Sequence, residues 1–594
     1  MADIFSTPMP YVLITLIIYA IAYFLYGKWM DTKVWQVDPS RPTPAHVYMD
    51  GVEFFPVNRY VLYGFQFKSV AALGPIVGPL TAVALFGWLP ALIWIVLGNF
   101  FIGWVQDYSS MLLSVRNEGR SFGPITYELL GDRPRKLLLS YLLYYFFLIS
   151  AAFIYVLAST ANGSPGAFTA TIGTILVGLL VGQLIYKLRM NIIYVTILAI
   201  ILTAVSVAIG VITQWPPKNV FDPITGNGTS LFIWMLIFAV ILFIAAIVPL
   251  PTFITPVNYI SFYPTAFTVI IVLIGALLTP LLNIQFNQPS VNVANAFITV
   301  PDPTKSAAGP IWPILFVTIA CGAISGWHSL ISSGISSRQL DVETDARPVG
   351  GGAMILEGMV ALSAFAAAAI LAPIPPGAGA YVAGGSKILS ALFGAGSAVI
   401  WNVFLGVFIL LMGTTVQTLI TRYWRIVSAE IFSKGSLSIL GNKYVATIIG
   451  LLLPIILAAI GSWPSVWIFF GGTNQLLAGF ALTLVAVYLM KVKRPTLPIL
   501  IPGLFMMITT ITALGWETAV VLRSAFTLFD PKKVLLSGQS VPDALGGATV
   551  GVIINLIAGI IGIILVILGI LMAYYLLRSY FRYRSATPEV GKVE

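Results

Sequence analysis

The sequence is short of charge, cysteine and histidine, and each shortage removes a class of protein. Only 9% of the 594 residues are charged, against about 25% in an ordinary soluble domain. Such a chain cannot clothe a water-facing surface of this size. Cys321 is the only cysteine, which excludes a disulfide within the chain. His46 and His328 are the only histidines, too few for the usual zinc sites. There is no GxSxG-like nucleophile beside a base. No catalytic residue, metal ligand or cofactor is therefore expected.

What the sequence has is apolar length. Hydrophobic residues make up 58% of it and the mean hydropathy is +0.96. Windows of about 20 apolar residues, each long enough for a membrane helix, recur from end to end. Fifteen spans are expected, the first at 9–26, the second at 66–88, the third at 90–114, the seventh at 230–256, the ninth at 311–336 and the last at 548–577. A net charge of +10 raises nucleic acid as a partner, and the placement of the basic residues dismisses it. If the first span runs from outside to inside, 25 of the 31 Lys and Arg fall inside and 6 outside, which is the positive-inside pattern. Lys28 and Lys33 follow the first span and no basic residue precedes it, the reverse of a secretory signal. The expectation is a multi-pass protein of the cell (plasma or inner) membrane, N-terminus outside and C-terminus cytoplasmic.

Two spans carry prolines that a membrane helix tolerates poorly. Within "LGPIVGPL", 73–80, stand Gly74, Pro75, Gly78 and Pro79; within "VPLPTFITPVNY", 248–259, stand Pro249, Pro251 and Pro256. A proline inside a helix costs about 3 kcal/mol, and irregular backbone at membrane depth survives only where protein buries it or it lines a cavity. The two stretches lie five spans apart, an odd offset that reverses the direction of entry. The sequence thus predicts an all-α fold with two inverted five-span units, each opening on a discontinuous helix, as in transporters of the LeuT type. The expected layout is a peripheral span and cytoplasmic loop at 1–61, a ten-span core at 62–428 (repeats 62–214 and 230–428) and four accessory spans at 429–594. The accessory spans are open to scaffolding, contact with a second copy of the chain, or regulation.

Half-helix ends at the midplane carry partial charges able to hold an ion or a carboxylate. Substrate is expected between 73–79 and 249–259, with Thr252 and Thr255 supplying hydroxyls, because no Lys or Arg falls mid-span and Lys68 is placed near an inner end. An intramembrane ionisable group is a functional candidate by default, which singles out Asp107 beside Gln106, Glu357, and His328. The other reading makes the two acids helix-helix anchors and His328 a satisfied packing residue. Cys321, Ser325, Ser329, Ser332 and Ser336 recur at helical spacing as a small, polar stripe. That stripe suits close helix packing, or Ser325 and Ser329 supply oxygens to sodium; a proton would prefer Asp107 or His328.

These stretches, with "DPSRPTPAHVYMDG", "VQD", "IACGAISGWHSLISSG", "GGAMILE" and "GGTNQLLAG", succeed one another between about 38 and 480 and together resemble the carbon starvation protein A family. The resemblance implies the amino acid-polyamine-organocation superfamily, a LeuT-like core, and proton-driven uptake of peptides or pyruvate across an inner membrane. Residue by residue it points to Gly74, Pro75, Gly78, Pro79, Gln106, Asp107, Gly322, Ser325, Gly326, His328, Glu357, Asn474 and Gln475. The stretch 251–259 adds Pro251, Thr252, Thr255, Asn258 and Tyr259 to the substrate side. The chain departs from the family pattern at Phe65 and Gln66, where two histidines are usual. It departs again at Val257 and Asn258, where Arg-Asp is usual, and at Leu419 and Ile420.

The function expected is a secondary active importer of small carboxylates or short peptides, coupled to protons and working by alternating access. Its partners would be that substrate and the lipid bilayer, with a homo-oligomer left open. A sodium-coupled symporter of the same fold and a passive channel or facilitator are the alternatives.

Overall fold

The computed structural model describes residues 3–222, 229–249, 252–299, 309–432, 435–460, 463–527 and 547–585. Among these the chain is helical, and its one bridge of strand type joins Val57 to Leu340. In chain order the helices are α1 (Met9–Trp35), α2 (Arg59–Val70), α3 (Gly74–Phe86), α4 (Trp88–Val115), α5 (Phe122–Leu130), α6 (Asp132–Gly163), α7 (Ala167–Ile185), α8 (Ile192–Thr213), α9 (Thr229–Ile247), α10 (Ile254–Leu277), α11 (Phe316–Thr318, continuing a π turn at Ile311–Leu315), α12 (Gly326–Gly334), α13 (Glu343–Ala369), α14 (Gly379–Phe393), α15 (Ala395–Ile431), α16 (Lys443–Ile460), α17 (Trp463–Lys491), α18 (Leu497–Thr527) and α19 (Gly547–Ser585). Twelve are long and apolar enough to cross a membrane, and the bent pair α2–α3 makes thirteen. Of the fifteen spans expected, two fall short of that measure. The ninth is broken into pieces, and α16 has only a short apolar stretch, Lys443–Ala459.

The first interruption lies just ahead of the Gly-Pro pairs. Asn58 caps α2, its Oδ1 accepting from the Tyr60 amide at 3.0 Å, so this helix starts well before residue 66 and Lys68 falls near its buried end. The chain leaves the helix at Ala71–Leu73 and re-enters 46° away in α3. Pro75 stands in the first turn of α3, where no helical N–H is needed. It starts a helix rather than breaking one.

The second interruption is not at 248–259. α9 and α10 are separate helices, each long enough to cross by itself, and Pro256 sits in the first turn of α10, where the missing donor costs no hydrogen bond. Pro251 lies outside the described residues. The break falls in the ninth span, where helix stops at Thr318 and resumes at Gly326. No proline lies between them, so this gap is held open by tertiary partners.

These elements enclose the two gaps. α3 packs on α13, α12 on α4, and the long α6 and α15 cross each other; α10 lies against α2, α13 and α15, and α17 against α12, α4 and α6. Where α1 and α4 finish, the fully buried Glu343 accepts from the Asp38 amide at 2.8 Å, Arg41 Nη1 at 2.9 Å and Arg116 Nε at 2.7 Å. This ties the loop after α1 to α4 and α13. Removing one partner of a buried ion pair costs about 3–5 kcal/mol. Glu343→Ala is therefore expected to lower the melting temperature of the purified protein by several degrees, and adding Arg116→Met should recover part of the loss; equal melting of wild type and Glu343→Ala would refute that role.

Candidate functional site

The gaps at 71–73 and 319–325 lie against each other, and glycine makes the approach possible. A Cβ on Gly78 would stand 3.0 Å from Ile319 Cα and 3.0 Å from the Thr318 oxygen; one on Gly74 would run into Cys321, and one on Gly322 into Ala361. Gly74 and Gly78 are thus packing glycines that seat α3 on the unwound segment. The Trp327 indole spans the join, donating to the Ser69 oxygen at 2.8 Å.

Side-chain amides take up the carbonyls of the second gap. Gln475 Nε2 donates to the Ile319 oxygen at 2.7 Å, Asn99 Nδ2 to the Gly322 oxygen at 3.2 Å and Gln106 Nε2 to the Ser325 oxygen at 2.6 Å. Asn474 donates to the Ala320 oxygen and, at 3.1 Å, to Ser325 Oγ, while its Oδ1 accepts from the Trp327 amide at 3.1 Å and the Tyr145 hydroxyl at 2.8 Å. Gln106, expected to touch substrate, gives its amide hydrogen to backbone, and its Oε1 has no partner among the described residues. The amides of 320 to 325 meet no acceptor among the described residues.

Three ionisable side chains meet just beyond the gap, all fully buried. His328, in the first turn of α12, has Nδ1 2.9 Å from Asp107 Oδ2 of α4 and Nε2 2.9 Å from Glu357 Oε2 of α13. The first contact is a well-formed hydrogen bond; the second is close without hydrogen-bond alignment, and both Glu357 oxygens are otherwise unpartnered among the described residues. With Nδ1–H given to Asp107, Nε2 and a Glu357 carboxylate would be two acceptors in contact. The contact therefore calls for a proton on one of them, or a metal ion. Cys321 Sγ completes a set with His328 and Glu357 whose ligand atoms lie within 4.8 Å of one another, a donor group that could hold a thiophilic divalent ion.

The remaining expected residues are used differently. Ser325 bonds to Asn474, Ser329 Oγ donates to the Gly326 oxygen at 2.6 Å, and Ser332 and Ser336 hold Gln66 of α2. These bonds are internal and do not converge on a cation site. Because 319–325 is unwound, the helical stripe from Cys321 does not form. Pro79 lies inside α3. Thr252 is exposed and Thr255 half-buried. Tyr259 bonds to Thr196 of α8 at 2.6 Å, and Val257 packs on Gly178 of α7. This stretch lines the start of α10. Asn258 is buried with both amide atoms unpartnered among the described residues. Sequence reasoning missed Asn99, an amide in an apolar span and so visible to the same rule that found Asp107. It also misplaced Lys68, through a helix start set too late.

Comparison with known proteins agrees with the sequence resemblance. The family model described as "Carbon starvation protein CstA" matches residues 8–375 and 375–513. The chain is 29% identical over 581 residues to the peptide transporter CstA of Escherichia coli (strain K12), covering 84% of this chain and 80% of that one. It is 32% identical over 366 residues to the pyruvate/proton symporter BtsT of the same organism, covering 60% of this chain and 48% of the relative. With the Bacillus subtilis (strain 168) peptide transporter CstA it shares 32% over 363 residues, 61% of this chain and 58% of the relative. The chain thus spans about half the length of two of these relatives. A manganese transporter of Eremococcus coleocola aligns over 90% of this chain at 12% identity and a TM-score of 0.43, a likeness too low to carry an argument.

The close approach of the gaps is testable. Gly78→Ala sets its methyl against backbone that cannot yield and is expected to lower the melting temperature, whereas Gly123→Ala, in open space, should not. Asn474→Asp removes the donors to Ala320 and Ser325 and should cost about 1–3 kcal/mol for the carbonyl left bare, read as reduced thermal stability; unchanged melting would show that the amide does not hold the gap.

Proposed function

Because this chain belongs to the carbon starvation protein CstA family, whose named relatives are transporters and not enzymes, we propose that this multi-pass membrane protein is a secondary active importer of a small carboxylate or short peptide, driven by protons. The Asp107–His328–Glu357 cluster at the edge of the broken helix carries the reading. Burial favours the smallest net charge. With His328 protonated and both acids ionised the cluster carries one net negative charge; one more proton, on Glu357, makes it neutral. It can therefore take up and release one proton without leaving two charges uncompensated. Sodium is disfavoured because four carbonyls of the second gap, at 319, 320, 322 and 325, already accept from Gln475, Asn474, Asn99 and Gln106.

Alternating access is supported by an internal correspondence that moves the repeat boundaries. α2–α3, α4, α6, α9 and α10 match α11–α12, α13, α15, α16 and α17, with α7 and α8 inserted. Short α5 precedes long α6 as short α14 precedes long α15. α10 packs on α13 and α15 as α17 packs on α4 and α6, and α3 meets α13 as α12 meets α4. The crossings from the first break to the second are α2–α3, α4, α6, α7, α8, α9 and α10, an odd number, so the two units enter from opposite faces. On this reading α1, α18 and α19 are peripheral, the N-terminus is outside and the C-terminus cytoplasmic.

Protein reconstituted in liposomes should accumulate labelled pyruvate or di- and tripeptides under an inward proton gradient and exchange them in counterflow. Uptake of none of them under any proton or sodium gradient would count decisively against the proposal. Asp107→Asn and Glu357→Gln should each abolish proton-driven accumulation while substrate exchange persists; unchanged accumulation in either variant would remove that residue from the coupling role.

A further inference from the structure

Lys68 is a buried amine with no carboxylate partner among the described residues. It lies in the last turn of α2, beside the first gap, and is fully buried. Among the described residues its Nζ has one partner, Thr265 Oγ1 of α10 at 3.4 Å, at the weak end of hydrogen bonding. The Thr265 hydroxyl donates to the Ser261 oxygen at 2.7 Å. Lys68 takes part in no ion pair among the described residues, and an ammonium has three donors to satisfy. An uncompensated charge at mid-membrane costs about 2.5–3.5 kcal/mol or more, which makes such groups functional in general.

The surroundings suit an anion with a polar tail. Asn258, Ser261 and Thr265 follow one another at three- and four-residue spacing, a single face of α10, and the Lys68 contact turns that face toward α2. On it the Asn258 amide has neither donor nor acceptor matched among the described residues, and Ser69 Oγ, next to Lys68, is likewise unpartnered. Seven residues of helix put Asn258 about 10 Å from Thr265, beyond the reach of a three-carbon acid held at Lys68 and within that of a peptide.

We infer that Lys68 binds the carboxylate of the transported substrate, at the junction of the first gap with the polar face of α10. The inference rests on the transporter reading and adds a residue to it. A charge-assisted hydrogen bond to ammonium supplies the attraction that hydroxyls alone would lack, whether the carboxylate belongs to pyruvate or ends a peptide.

The test is thermal shift of the purified full chain with pyruvate, methyl pyruvate, Ala-Ala and Ala-Ala-amide, because a ligand of the folded form raises its melting temperature. The acids should stabilise the wild type and their neutral counterparts should not. Lys68→Met should weaken acid binding at least about tenfold, with Lys68→Arg keeping part of it and Lys68→Gln standing in if the methionine variant does not fold. Asn258→Ala should weaken Ala-Ala and spare pyruvate if the peptide extends along α10. Equal binding of acid and neutral forms, undiminished acid binding by the Lys68 variants, or no response of the wild type to any acid would overturn the role of Lys68. Counterflow by the wild type separates the two ideas: uptake that survives in Lys68→Met with unchanged affinity sinks the lysine alone, and absent wild-type uptake sinks transport itself.

Discussion

The unwound backbone from Ile319 to Ser325 is the constraint on which the rest of the structure depends. A peptide group with no partner is expensive in hydrocarbon, so a gap in a membrane helix persists only if protein supplies what the helix gave up. Here Asn99 and Gln106 of α4 and Asn474 and Gln475 of α17 give their amide hydrogens to four of its carbonyls. Clamped from two sides, the gap is a fixed element. It sets where α12 starts, and so delivers His328 to Asp107 and Glu357.

Adjacent residues on α4 do both jobs. Gln106 holds the gap through Ser325, and Asp107 holds His328 three residues further along the chain. Any sliding of α4 against α12 must disturb the amide clamp and the Asp107–His328 contact together. The Trp327 bond to Ser69 extends the same linkage to the first gap. A change of charge in the cluster thus has a direct path to both broken helices, through bonds rather than through general flexibility.

The membrane class, most spans and the buried acids were legible because each rests on a local property: apolar length, basic loops, a charge where charge is costly. Pro75 marked the right neighbourhood, since a proline must stand at a helix start or damage a helix. The second gap was illegible for the opposite reason. Residues 319 to 325 contain no proline and only one glycine, Gly322, and what unwinds them comes from amides far away in the chain, whereas Pro256 accompanies an ordinary change from one helix to the next. Lys68 was misjudged through a boundary: Asn58 as a cap starts α2 early and moves the lysine inward. The pairing of Glu343 with Arg41 and Arg116 is equally non-local, joining residues some 300 and 230 apart.

The two charged sites make physical sense as a pair. Moving one elementary charge across a membrane potential costs or yields about 2.3 kcal/mol per 100 mV. A carboxylate drawn in alone would work against an inside-negative potential; accompanied by one proton it moves no net charge. A single residue could not serve both, because a lysine neutralised by the cluster's acids would have no attraction left for substrate. Among the described residues Lys68 has no ion pair, and His328 has its carboxylates on both sides. On the proposed reading, separating the two on α2 and α12 is what would let anion and proton be bound at once and released together.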